Sequence, residues 1–435
     1  MTYLETIEWL EGVGMYSKKA GLDQMRRFLE ILGSPEKKVP AVHVAGTNGK
    51  GTTCALLESM FRASGKKTGL FTSPHLVRYT ERIRVNGEEI PEDEFARLGS
   101  RVRKAAEALA AEGEAYPTFF MLLTAMGFTY FAEQGCEVSV IEVGVGGRLD
   151  CTNVLEKPLV TVITSISLDH MKTLGDTVPQ IAREKAGILK PGVPAVAGHN
   201  TEEALEVIRK RADEVGAPLY EADKEPAWVL QNDPDGILVT TGTYTAGIRL
   251  CGDYQVQNLK TALLAAKLVG LSREAVAEGA KNTAWPGRMQ RMHYGEGTEL
   301  LLDGAHNSDA AGHLARWCRE RLGGRDVTLL FSALRRKDVS GVLRELLSGT
   351  PFARIVFARL SDDSGMDADE FAEISAPYRG ETPWYAAGSV EEGLRLAGSL
   401  TDADGLVVCA GSLYLMGEIL KLAETGREET EDAEV

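Results

Sequence analysis

The chain is predicted to be α/β twice over: a domain on a mostly parallel sheet, then a smaller domain of the same class. Three observations carry that expectation. Gly46-Thr-Asn-Gly-Lys-Gly-Thr52 sits between an apolar run, Val39 to Val44, and an amphipathic segment, Thr53 to Ser64. That is the strand–loop–helix context of a phosphate-binding loop. Short β-branched runs alternate with helical stretches along the chain, the pattern of parallel sheets covered by helices. Finally, Ala284-Trp-Pro-Gly-Arg-Met-Gln and Tyr294-Gly-Glu-Gly bring the density of Pro and Gly that marks a linker, after which the alternation begins again. The domain limits drawn from this are 1–290 and 291–425, with 426–435 as an acidic tail expected to be disordered.

Taken in order, residues 1–38 read as two short helices, the second from Leu22 to Leu32, ending at Gly33 with Pro35 beyond it. Strands follow at 39–44 and Thr68–Phe71. Val138–Val143 and Leu159–Ile163 are the β-branched runs of buried parallel strands. Helices fit Glu92–Glu112 and Phe120–Gln134. A strand at Val193–Ala197 leads to a helix over Thr201–Glu214, and 217–252 is strand-like and turn-rich. Gln257–Val269 is helical, with Leu259, Leu263, Leu264 and Leu268 apolar. In the second series, strands are expected at Glu299–Asp303, Val327–Ser332, Arg354–Ala358 and Leu406–Cys409. Helices are expected at Ser308–Leu322, Val339–Leu347, Val390–Gly398 and Leu413–Glu424.

Composition narrows the function classes. At 435 residues the chain exceeds the usual size of one core. Its 44% apolar and 26% charged content is that of an ordinary globular protein. A net charge of −15 argues against nucleic acid or an anionic membrane as partner. The cysteines at 54, 136, 151, 251, 318 and 409 form no C-x-x-C pair, so neither zinc nor a disulfide framework is indicated. Free thiols suit a reducing cytoplasm. Met1-Thr-Tyr-Leu-Glu lacks the basic start and apolar core of a signal peptide, and no apolar run approaches ~18 residues. A cytoplasmic protein is expected.

Chemistry concentrates first in the loop. Its glycines let backbone N–H groups turn toward phosphate oxygens at a helix N-terminus, Lys50 neutralises the outer phosphates, and the Thr52 hydroxyl is a candidate Mg²⁺ ligand. The spacing departs from G-x-x-x-x-G-K-[ST]: Val44 stands at the first Gly and Gly51 directly after Lys50. Ligands of open parallel sheets bind at the carboxyl ends of strands, and polar residues sit there. Glu142 is a candidate Mg²⁺ ligand or a capping residue. Ser165, Asp169 and His170 follow the next strand, His170 being equally well a structural residue. Thr72-Ser73-Pro74-His75 opens a loop containing Arg78, Arg82 and Arg84. Nothing in the local pattern separates Lys185 from Lys190. Asp303-Gly-Ala-His306-Asn307 suits a bound ligand about as well as a strand-to-helix turn capped by Asp and Asn.

Taken together these stretches resemble the folylpolyglutamate synthase and dihydrofolate synthase family, within the Mur-type ATP-dependent amide ligases. The resemblance rests on ordered motifs: Ala45–Thr53, Thr72–Arg84, Glu142–Asn153, Ser167–Met171, Ile181–Ile188, Pro286–Gln290 and Asp303–Asn307. It is dense over residues 20–310 and thin beyond. It implies an N-terminal nucleotide-binding domain with a Rossmann-like C-terminal domain. The implied reaction adds L-glutamate to a folate carboxylate through an acyl phosphate made from ATP, in a monomeric enzyme of folate biosynthesis and one-carbon metabolism. By the same resemblance Asn48, Gly49, Lys50, Gly51 and Thr52 hold phosphate, while Asn258, Arg288, Asp303 and His306 belong to the nucleotide site. Ser73, Glu142 and His170 hold Mg²⁺, and Lys185 carries a CO₂-derived carbamate; Lys50, Lys185 and His170 are the implied catalytic set. Thr118, Phe119, Phe120, Met121, Leu149, Asp150 and Cys151 match the pterin segments. Bifunctional members carry an acid in place of Met121 and usually Ala in place of Cys151, which weighs against dihydropteroate and less against polyglutamylation of a reduced folate. A Mur-type cell-wall ligase is the nearest rival, disfavoured because only about forty residues precede Gly46. A nucleotide-driven switch is disfavoured by the displaced Ser/Thr after Lys50.

Overall fold

The computed structural model describes residues 1–14, 21–295 and 297–433, with side chains through 425. The expected linker residue 296 and the end of the acidic tail, 434–435, lie outside the described residues. Two compact units form: Met1–Arg249 with Gln255–Ala284, and Leu250–Tyr254 with Trp285–Val435. The junction placed by composition at 290 therefore falls inside the second unit, which also takes in the short segment 250–254.

The first unit is built on eight strands: β1 (Ala41–Ala45), β2 (Thr68–Phe71), β3 (Ile83–Val85), β4 (Glu88–Glu89), β5 (Val138–Glu142), β6 (Val160–Ile163), β7 (Ala195–Ala197) and β8 (Leu219–Glu221). Their order is β4-β3-β2-β5-β1-β6-β7-β8, parallel throughout except for β3 and β4 at one edge. β1 thus lies centrally, with β5 on one side and β6 on the other. Its carboxyl end opens where the connections diverge, which is where open sheets bind ligands. All five residues of β1 are buried, as for a strand covered on both faces. One face packs on a cluster that includes Phe28, Phe71, Phe95 and Phe131. A second cluster gathers Ala45, Ile163, Ile181 and Ile188. A separate antiparallel sheet, β9 (Ala227–Asp233), β10 (Gly236–Thr241) and β11 (Thr245–Ile248), accounts for the turn-rich stretch.

The helix leaving the phosphate loop, Lys50–Ala63, is buried from Thr52 through Phe61. A second helix, Arg273–Lys281, lies close against it. A Cβ on Gly279 would stand 2.4 Å from Met60 Cα, and Ser59 Oγ donates to the Gly279 carbonyl at 2.7 Å. Only a residue without a side chain permits that approach. The sequence reading places no helix at 273–281, a run of only nine residues with Gly279 inside it.

The second unit carries β12 (Gln290–Tyr294), β13 (Thr298–Leu302), β14 (Val327–Phe331), β15 (Arg354–Ala358), β16 (Trp384–Ala387) and β17 (Leu406–Ala410). The order is β12-β13-β17-β14-β15-β16, with β12 antiparallel to β13 and the rest parallel. Phe331, Phe357 and Phe371 pack edge-on and stacked in its core, with centroids 5.3–6.2 Å apart. The final helix, Leu413–Ala433, continues through most of the stretch expected to be a disordered tail. Among the described residues no helix is long and apolar enough to cross a membrane.

Candidate functional site

β1 delivers the phosphate loop at its carboxyl end, and two of the loop's glycines are required there. Gly46 has φ +152° and a Cβ would meet Thr164 Oγ1 at 1.8 Å; Gly49 has φ +84° and a Cβ would meet Asn258 Oδ1 at 2.1 Å. The segment after β6 pins the loop. Thr47 N donates to the Ser165 carbonyl at 2.7 Å, and Thr164 Oγ1 donates to the Asn48 carbonyl at 2.7 Å. Thr47 Oγ1 donates to the Ser167 carbonyl at 3.1 Å and accepts from Ser167 N at 3.2 Å, while Asn48 Nδ2 donates to Ser167 Oγ at 3.3 Å. Lys50 folds back over the loop, its Nζ donating to the Thr47 carbonyl at 3.1 Å. Asn258 reaches the loop from the helix at 253–268, its Nδ2 donating to Gln255 Oε1 at 2.8 Å.

Lys185 separates from Lys190 at once. The helix Val178–Ala186, started by a capping box at Thr177, buries Lys185 to 4% exposure and aims its Nζ at the Gly46 carbonyl, 2.6 Å away. Burial, and next the charge of Lys50, pull its pKa down to about 7; Asp169 and Asp150 act the other way. Lys190 donates instead to the Asn153 carbonyl, at 3.2 Å. The Gly144–Asn153 loop is sewn to the same helix: Arg148 N donates to the Glu184 carbonyl at 2.7 Å, and Asn153 Nδ2 donates to the Arg148 and Gly187 carbonyls at 3.0 and 3.2 Å.

Glu142 ends β5 with only 4% exposure, and its Oε2 accepts from Ser73 N at 2.9 Å, so the expected Mg²⁺ ligands Glu142 and Ser73 are brought together. His170 takes a left-handed conformation (φ +50°) at the head of the short helix Met171–Leu174, its Nε2 3.8 Å from Asp169 Oδ2. Among the described residues no group of three or more His, Cys, Asp or Glu forms a metal cluster. The buried carboxylate of Glu142 and the nearby Ser73 are hard oxygen donors of the kind Mg²⁺ uses, an ion that keeps water and borrows phosphate oxygens, whereas the imidazole of His170 is placed against Asp169.

The pterin candidates divide. Phe119 and Phe120 open the helix Phe119–Glu133 behind Thr118, with ring centroids 6.2 Å from Tyr79 and 5.9 Å from Phe71 respectively. Asp150 is buried and accepts from Val145 N and Thr152 N, both at 3.0 Å, and from Thr152 Oγ1 at 2.6 Å. Burial pushes its carboxyl up while these bonds oppose the shift. Cys151 Sγ lies 3.1 Å from Thr124 Oγ1, and Leu149 is exposed. Met121, at 4% exposure, packs in the hydrophobic core with Phe71 and Leu122.

The loop after β2 holds groups that local sequence patterns left as ordinary charges. Glu81 accepts from Leu76 N, Val77 N and Arg78 N at 2.6–2.8 Å. Arg82 Nε donates to His75 Nδ1 at 2.9 Å and its guanidinium sits 5.8 Å from the Tyr79 and Phe119 ring centroids, a cation–π arrangement. Burial, then Arg82, push His75 down to about 3. The available signal was the aromatic interleaving of the arginines.

In the second unit Asp303 follows β13 and is 3% exposed. It accepts from Tyr254 Oη at 2.6 Å, Met289 N at 3.0 Å and Ala305 N at 2.9 Å. Burial pushes its carboxyl up against the opposing pull of Arg288. Arg288 Nη1 donates to the Gly287 carbonyl at 3.1 Å, and His306 Nδ1 to the Gly304 carbonyl at 2.9 Å. Asn307 caps the helix Ser308–Arg321 through Ala310 N. Tyr254 carried no signal in the sequence, lying outside every motif.

Residues 289–422 match the family described as the dihydrofolate synthetase C-terminal domain, and residues 106–266 match the Mur ligase middle domain. A dihydrofolate synthase/folylpolyglutamate synthase of Bacillus subtilis is 36% identical over 96% of this chain and 98% of its own. A folylpolyglutamate synthase of Lacticaseibacillus casei is 30% identical over 96% of this chain and 98% of its own. Among solved structures, Mycobacterium tuberculosis folylpolyglutamate synthase complexed with ADP and AMPPCP superposes with a TM-score of 0.88 at 28% identity, covering 97% of this chain and 98% of that one. E. coli FolC in complex with DHPP and ADP gives 0.86 at 30% identity, covering 98% and 99%.

Proposed function

The chain belongs to the dihydrofolate synthase and folylpolyglutamate synthase family, and on that premise we propose that it joins L-glutamate to the γ-carboxylate of tetrahydrofolate, building polyglutamate. It is an ATP-dependent carboxylate–amine ligase. The observation that carries the reading is end-to-end similarity to such enzymes together with a phosphate loop flanked by a buried lysine and a buried carboxylate.

A carboxylate is a poor electrophile, so its oxygen first takes the γ-phosphoryl group of ATP, with ADP leaving. The glutamate amine then attacks the acyl carbon, and the C–O bond to phosphate breaks as the amine gives up a proton. The chain's share is positioning and charge neutralisation. Lys50 and the amides of Asn48 to Thr52 would hold phosphate oxygens. Asn258, Arg288, Asp303 and His306 are the proposed contacts of the remaining nucleotide. Ser73, Glu142 and His170 would hold Mg²⁺, which neutralises phosphate charge when bound. Phe119, Phe120, Asp150 and Cys151 would flank the pterin.

Lys185 fits carbamate formation. With its pKa near 7, a large share of the amine is neutral at physiological pH, the form that bonds to CO₂ and then loses a proton to become an anion. We place the enzyme in the cytoplasm, a reading supported by its unpaired thiols, and as a monomer by the family resemblance, acting on small molecules, since a net charge of −15 disfavours nucleic acid or an anionic membrane as partner.

The test is product mass after incubation with ATP, Mg²⁺ and glutamate, with tetrahydrofolate, dihydropteroate or a cell-wall nucleotide precursor in parallel. A glutamate ladder on tetrahydrofolate is expected. The dihydropteroate tube is warranted because the Bacillus relative bears both activities in its name. No addition to either folate would sink the assignment.

A further inference from the structure

One buried polar group has no place in that chemistry. His43 sits in the middle of β1, fully buried in a strand otherwise made of Ala and Val. Burial of an imidazole is costly unless it is hydrogen-bonded, so its partner is informative. Nε2 lies 2.9 Å from Thr152 Oγ1, and Thr152 Oγ1 donates to Asp150 Oδ1 at 2.6 Å. Thr152 is itself fully buried and Asp150 nearly so.

A hydroxyl has one proton. Given to the carboxylate, it leaves Thr152 only lone pairs for His43, so the imidazole must carry its proton on Nε2. Nδ1 agrees: it is buried and meets no protein partner, tolerable for a lone pair and expensive for an N–H. Burial pushes the ring's pKa down to about 3, so it stays neutral, with one donor, throughout the physiological range. The chain of bonds ends beside the proposed pterin residues. A Cβ on Gly144 would meet Phe120 Cε1 at 2.4 Å and Asp150 Oδ2 at 3.1 Å, so ring and carboxylate flank one glycine.

We propose that His43 is a positioning residue for the folate: its Nε2–H orients the Thr152 hydroxyl, which orients the Asp150 carboxylate in the substrate loop. The inference rests on the reading that Asp150 belongs to the pterin site. Because His43 and Gly46 share one strand and its loop, the strand that sets the phosphate cradle also sets this carboxylate.

The test measures KM for tetrahydrofolate and for ATP, with kcat, in the wild type, His43→Leu, Thr152→Val and the double variant. His43→Leu is expected to raise the folate KM about tenfold, the loss of a bond in a charge-terminated chain, with the ATP KM within about twofold. The double variant should be no worse than Thr152→Val alone. His43→Gln, which keeps an N–H donor, should recover much of the folate KM. Equal rises in both KM values, or additive single effects, would overturn the proposal. Should His43→Leu fail to fold, ¹⁵N spectra of the wild-type imidazole decide: a protonated Nε2 is expected, and a protonated Nδ1 overturns it. Asp150→Asn separates the two layers. An unchanged folate KM there removes the pterin-site reading; a raised one beside an unchanged His43→Leu removes only this inference.

Discussion

Lys185 Nζ donates to the Gly46 carbonyl at 2.6 Å, joining a buried amine to the first glycine of the phosphate loop. The amine's folded pKa, about 7 against an ordinary 10.5, has a consequence for stability. Between those values the unfolded chain binds a proton that the folded one does not, so stability rises with pH across the window. The slope is roughly 1.4 kcal/mol per unit at its steepest. Urea denaturation in CO₂-free buffer at pH 7.5 and 9.5 should show this slope in the wild type and a flatter one in Lys185→Met. Equal slopes would mean that the amine is not buried as described.

Gly49→Ala is expected to damage both fold and nucleotide affinity. The position has φ +84°, and a methyl would stand 2.1 Å from Asn258 Oδ1. The left-handed backbone alone costs about 1–3 kcal/mol in a non-glycine residue. Adding Asn258→Ala should relieve the clash and recover part of the lost stability, leaving the backbone term. Melting temperatures with and without ADP check both parts; full recovery in the double variant would show that the φ angle imposes no strain.

These two loop features show where sequence stops. The strands Val327–Phe331 and Arg354–Ala358 and the helix Val339–Leu347 were legible because short apolar runs with clear periods have few alternatives. Gln290–Tyr294 read as linker: it is an edge strand in which half-buried and exposed residues alternate, and Pro286 and Gly287 precede it. The helix Ala368–Arg379 was hidden by Pro377 inside it. For the candidate site, the motifs pointed to Glu142 and Ser73, which the fold brings into contact, but no local pattern says that Lys185 meets Gly46 while Lys190 meets Asn153, because both contacts cross elements distant in sequence. His43 looked like one more residue of an apolar strand until its ring was seen against Thr152.

Acid should weaken the protein through His75. Its ring is held neutral, with a folded pKa near 3 caused first by burial and then by Arg82, against an ordinary value of 6.5. Below pH 6.5 the unfolded chain takes up the proton first, so stability falls as pH drops from about 6.5 toward 3. His75→Gln retains an acceptor for Arg82 and removes the titration. Between pH 7.5 and 5 the variant should lose less stability than the wild type in urea, and an equal loss would place the acid sensitivity elsewhere.

Glu142→Gln tests the proposed metal ligand separately from the fold. The side chain is 4% exposed and one oxygen accepts from Ser73 N at 2.9 Å, a bond that the amide oxygen of Gln can also accept. Shape and that bond survive while the negative charge is lost. A hard divalent cation gains most from that charge, so the concentration of Mg²⁺ giving half-maximal activity should rise about 10–100-fold. The melting temperature without metal should stay near that of the wild type, because the bond from Ser73 N is kept. A fall in melting temperature with an unchanged Mg²⁺ requirement would make Glu142 a structural anchor of the Ser73 loop and take it out of the metal site.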